Sequence, residues 1–128
     1  MDQPSTNGER STYDSLGELG VPIRSDKIEQ ARRWGEEKRG SHRADGIESN
    51  RRIGMTRESW YLQLIPDGAL LLFTGESPDL PAAFAAYAAS EGAFERWEKQ
   101  ALEEITGVDL DRLLDMPMPE TLVDWRGS

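Results

Sequence analysis

The stretch "RESWYLQLIPDGALLLFTGES", residues 57 to 77, decides how the rest of the chain is read. Aromatic and aliphatic residues fill 60–65 and 69–73, and the "PDG" between them supplies proline, aspartate and glycine in the order a tight turn uses. The stretch predicts a β-hairpin. Strand side chains alternate, so Glu58, Trp60, Leu62 and Leu64 share one face and Tyr61, Gln63 and Ile65 the other, while Leu70 to Phe73 are apolar on both. A sheet with one wet face keeps every second residue polar, and this hairpin does not. Both of its faces ask for cover.

Upstream, "LGVPIR" at 19–24 is a short strand candidate, and Pro22, which cannot donate to a ladder, suits an edge. "SDKIEQARRW" then opens a helix at Ser25 or Asp26, predicted to run to Ile53 and to stop at Gly54. Downstream, Pro81 in "SPDLP" fits a first helical turn; "AAFAAYAAS" and "AFERWEKQALEEI" read as a second helix, interrupted near "SEGA" at 90–93 and ended by Gly107. Phe94, Trp97, Ala101 and Ile105 form its apolar stripe. "TLVDW" at 121–125 reads as a last strand. The order strand, helix, hairpin, helix, strand is the split βαβ pattern, an α+β ferredoxin-like βαββαβ fold with a four-stranded antiparallel sheet and helices on one face. Residues 1–16, polar and glycine-bearing, read as a mobile tail, and 17–128 as a single domain. Two helices cover one face of the sheet, so the other is predicted to meet a second copy in a homodimer.

Three stretches, "GMTRESWYLQLIPDGALLLF", "AASEGAFERWEKQALEEITGVDL" and "PMPETLVDW", together resemble a set of small, functionally uncharacterised proteins of the dimeric α+β barrel superfamily. The similarity covers most of residues 25 to 126. It implies ferredoxin-like halves paired through their sheets and brings no assigned catalytic residue. Other branches of that superfamily include cofactor-independent monooxygenases, polyketide cyclases and haem proteins, too different in chemistry to lend a mechanism.

Composition narrows the partners. The chain has 128 residues, 37% of them hydrophobic and 30% charged, and a net charge of -9, which opposes the attraction that drives nucleic-acid binding. No apolar run approaches the roughly 18 residues of a membrane span, and the first residues lack a signal-peptide pattern, so a cytoplasmic protein is expected, with no membrane partner. Without cysteine, thiol nucleophiles and cysteine-ligated metals are excluded. Residues 27–57 hold nine of the fifteen basic residues but five of the twenty-four acidic ones. That island is either a solvated face or a site for an acidic partner.

The single histidine, His42, lies in "KRGSHRADGIES". On a continuous helix it shares a stripe with Ile28, Ala31, Gly35, Gly46 and Ile53, and two glycines on an inward stripe ask for a packing reason. His42 is either a satisfied boundary residue or a pocket base; glycines that end the helix early would remove the stripe. Glu58 is either its carboxylate partner or a rim carboxylate paired with arginine. These two are the candidate catalytic residues. Trp60, Tyr61, Arg39 and Trp97 are the candidate ligand contacts around them, although Trp97, with Trp34, Trp125, Tyr87 and Phe94, reads first as core. No cofactor motif appears, and no metal is expected, because Glu95 with Glu98 and Glu103 with Glu104 read as the outer face of their helix. The expected function is a homodimer binding a small apolar molecule, either as a cofactor-independent enzyme of monooxygenase, cyclase or isomerase type or as a non-catalytic binding or regulatory protein.

Overall fold

The computed structural model describes residues 15–115, 117 and 120–127. Three strands, β1 (Ser15–Arg24), β2 (Arg57–Ile65) and β3 (Gly68–Ser77), form an antiparallel sheet in the order β1-β3-β2. Five α-helices accompany it among the described residues: α1 (Ile28–Arg39), α2 (Arg43–Ile53), α3 (Leu80–Ala89), α4 (Ala93–Thr106) and α5 (Leu110–Asp115). None of the helices is long and apolar enough to cross a membrane. β1 begins at Ser15, inside what reads as the tail; the rest of that tail lies outside the described residues.

The hairpin forms as its sequence predicts. Ile65 pairs with Gly68 across the two-residue turn Pro66–Asp67. Gly68 has φ of +153°, and a Cβ there would sit 2.4 Å from the Ile23 carbonyl oxygen on β1, so the neighbouring strand requires glycine as much as the turn does. β3 is the central strand, buried at every second position: Ala69, Leu71 and Phe73 face inward. In register beside them lie Val21 and Ile23 of β1 and Trp60 and Leu62 of β2. All the helices cover this one face. Trp34 of α1 and Leu102 and Ile105 of α4 close the larger part of the core, and Leu80 and Ala83 of α3 pack with Met55 and Phe73 in a smaller part.

The other face is mixed rather than apolar. Pro22, Leu70, Leu72 and Tyr61 lie together, with Gln63 beside Leu70 and with Glu18, Thr74 and Ser59 in the adjoining row. Register pairs Tyr61 with Leu72 at its centre, and Tyr61 is 53% exposed.

Two expectations are corrected. The helix predicted from 25 to 53 is broken after Arg39: the Gly40 and His42 N–H groups both return to the Glu37 carbonyl, and a Cβ on Gly40 would lie 2.9 Å from the Glu36 carbonyl oxygen. The break lets α1 pack along α4 while α2 turns against α3 and α4. Gly46 then has its packing reason, since the Phe94 ring rests where a Cβ would be, 3.3 Å away. The strand predicted at 121–125 is not formed; the segment is irregular, and Leu122, Val123 and Trp125 are 83%, 66% and 92% exposed. A strand needs a ladder partner and a face to bury. Among the described residues the segment pairs with neither of the edge strands β1 and β2 and buries no face, so Trp125 is not a core residue. The break predicted between the last two long helices falls at 90–92.

Candidate functional site

Beneath α3 and α5 the core leaves a cavity of about 80 Å³. Its walls are apolar, with Phe73, Phe84, Leu102 and Leu114 among them, except on one side where Asn50, Glu58, Tyr87 and Glu98 meet. Four elements deliver these groups. The pleat of β2 sends Glu58 to the same face as Trp60, two residues on, and the Trp60 indole N–H donates to Glu58 Oε2 at 2.5 Å. Asn50, in the last turns of α2, donates from Nδ2 to Glu58 Oε1 at 2.9 Å. Tyr87 of α3 donates its hydroxyl to Glu98 Oε1 at 2.9 Å, and Lys38 of α1 ion-pairs with Glu98 Oε2 while lying 3.2 Å from Glu58 Oε2. The Lys38 ammonium also stands 5.0 Å from the Phe94 ring centroid and 5.7 Å from that of Trp34, within cation–π range.

This is a buried ionic network. The side chains of Lys38, Glu58 and Glu98 keep 15%, 13% and 5% of their exposure. Burial, joined by repulsion from Glu58, pushes the Glu98 carboxyl above the usual range despite the opposing pull of Lys38 and Tyr87. Burial also works against the Lys38 charge, but Glu98 and Glu58 outweigh it and raise the ammonium. The Tyr87 phenol is driven far up by burial first and the Glu98 charge second, so it stays a hydrogen-bond donor at any ordinary pH. Two carboxylates thus share one ammonium, at the polar edge of an apolar void.

A second buried carboxylate, Glu95, lies one turn earlier on α4 with its side chain fully covered. It accepts from the Ser49 hydroxyl and from Arg52 at 3.0 Å. Burial opposes its charge, yet the Ser49 hydrogen bond first, with the backbone and the Arg52 charge, holds its carboxyl below the usual range. Glu95 and Glu98, read from sequence as outer-face residues, are the most buried acids among those described. The buried residues of α4 are Phe94, Glu95, Glu98, Leu102 and Ile105; of the predicted apolar stripe Phe94 and Ile105 are buried, and Trp97 and Ala101 are half-buried beside them.

The six candidate residues separate. Glu58 and Trp60 line the cavity and bond each other. His42 does not line it: its ring stacks on Trp97 with centroids 3.8 Å apart and planes 16° off parallel, and its Nδ1 is buried without a hydrogen-bond partner among the described residues. Trp97 is the other half of that stack. Arg39 is exposed at the end of α1 and, with Tyr61, borders a shallow groove between α1 and β2 on the outside of the molecule. The sequence reading missed Lys38, Asn50 and Glu98 and left Tyr87 as core. The available signal was the spacing of Glu95 and Glu98 with Leu102 and Ile105, which repeats three, four and three residues apart and is helical. Compared with known proteins, the chain matches no family model, no curated protein and no solved structure.

Proposed function

We propose that the protein binds a small, largely apolar molecule in the cavity beneath α3 and α5, with one polar end against Glu98 and Tyr87, and that it works as a ferredoxin-like homodimer of the dimeric α+β barrel type. The observation that carries the binding reading is the pairing of an apolar void with a buried polar network whose groups face into it. Binding sites are typically apolar concavities with a few placed polar groups, and this cavity has that composition. At about 80 Å³ the void suits a ligand of roughly three or four non-hydrogen atoms, given that about 150 Å³ accommodates benzene. The split βαβ order of the three strands and the apolar centre of the outer face support the fold and dimer parts of the proposal.

A titration with n-propanol followed by NMR tests the binding reading. The expected result is a saturable set of shifts confined to Trp60, Phe84, Tyr87 and Leu102, lost when Leu102→Phe fills the void. Shifts scattered over the surface, or unaffected by Leu102→Phe, overturn it.

A second reading, a cofactor-independent enzyme working by proton transfer, is favoured by one observation: Glu98 is a buried carboxyl with a raised pKa at the cavity wall. In that reading Glu98 is the residue that exchanges a proton with substrate, since His42 does not line the cavity.

A further inference from the structure

We infer that the polar end of the bound molecule is a cationic hydrogen-bond donor, so that the ligand class is a small primary ammonium with a short apolar tail. The inference rests on the binding reading above and adds the head group to it. The donors of the network serve its own carboxylates: Lys38 reaches Glu58 and Glu98, the Trp60 indole and the Asn50 amide reach Glu58, and the Tyr87 hydroxyl reaches Glu98. The phenol has one hydrogen, and with that spent on Glu98 it offers the cavity only lone pairs. The charges do not balance either. Glu58 and Glu98 bond one ammonium; Lys99 stands 5.3 Å from the Tyr87 ring centroid but bonds the Ala88 and Ser90 carbonyls, and Arg52 is taken by Glu95 at 3.0 Å with Glu48 beside it at 3.9 Å.

The wall is therefore left with one negative charge, or with one proton held in its place. With both carboxyls ionised, a carboxylate or phosphate head would bring a third negative charge to the wall. An ammonium supplies the missing charge and up to three hydrogens to carboxylate and phenol lone pairs. The remaining walls, Trp60, Phe73 and Phe84 among them, suit the apolar tail.

The experiment compares n-propylamine, n-propanol and propionate, which share a hydrocarbon tail, by NMR titration read at the Trp60 indole N–H. The amine is expected to bind about tenfold more tightly than the alcohol, the difference a charged hydrogen bond makes, and propionate not to bind at all. In Glu98→Gln, which removes the surplus charge, the advantage of the amine over the alcohol should disappear. If propanol or propionate binds as well as propylamine, the head-group inference is overturned while binding stands. If none of the three binds, both fall. The wild-type series decides between these outcomes even where the variant does not fold.

Discussion

At the scale of single residues, Glu98 concentrates the consequences of the arrangement. Its carboxyl is held above the usual range chiefly by burial, so the folded protein takes up that proton more readily than the unfolded chain does. The sign follows. Stability contributed through Glu98 is fully present below the ordinary glutamate value, about 4.3, and is lost as pH rises through the raised value in the folded state. Replacing Glu98 by Gln removes this proton and leaves Lys38 paired to Glu58. Urea denaturation of both proteins from pH 4 to 7 should show the wild type losing stability relative to Glu98→Gln as pH increases; a constant difference would mean that burial does not govern the group. Glu58 and Trp60 were legible in the sequence because a strand has only two faces, and two residues apart always means the same one. Lys38, Asn50 and Glu98 were not. Which arc of a helix is buried depends on where neighbouring helices cross it, and an acid on the inward arc looks like an acid on the outward arc until those neighbours are placed.

At the scale of elements, glycine and proline punctuation carried most of what the sequence disclosed. The hairpin turn, the stop at Gly54 and the stop at Gly107 all fall where the residue types put them, and both stops are left-handed, with φ of +88° and +72°. The break at Gly40 was passed over because three glycines, at 35, 40 and 46, lie in the same polar run, and nothing local says which one ends a helix. Only Gly40 would place a Cβ against helix backbone. Gly54 offers a clean measurement, because nothing lies within 4 Å of where its Cβ would stand. Gly54→Ala should thus destabilise the protein by about 1–2 kcal/mol through the left-handed backbone alone, read as a lower urea midpoint with an unchanged slope. A change near zero would show that the end of α2 relaxes to another conformation without cost.

At the scale of the whole molecule, the outer face of the sheet is where the argument from sequence reached furthest beyond a single chain. It expected an apolar surface and a fourth strand; the face instead carries an apolar centre of Leu70, Leu72 and Tyr61, with Pro22 beside it, inside a border of Glu18, Ser59, Gln63 and Thr74. An apolar centre with a polar rim is how protein interfaces are built, and a twofold axis through the Tyr61 and Leu72 pair would lay the patch on its own copy. Leu122, Val123 and Trp125 find little cover among the described residues, and the edges of β1 and β2 have no ladder partner among them. These features share one explanation in the proposed dimer, because a second chain supplies both cover for the face and surface for the exposed apolar residues. Sedimentation at tens of micromolar should therefore give twice the 14.4 kDa mass of the chain. Leu72→Lys should halve that mass, since near the axis it sets two ammonium groups against each other in an apolar contact. The helix-covered face is untouched by the substitution, so the far-ultraviolet circular dichroism should stay unchanged. A wild-type chain that sediments at single-chain mass, or a Leu72→Lys protein that dimerises as well as the wild type, would remove the outer face as the meeting surface and leave the cavity to be explained within one protomer.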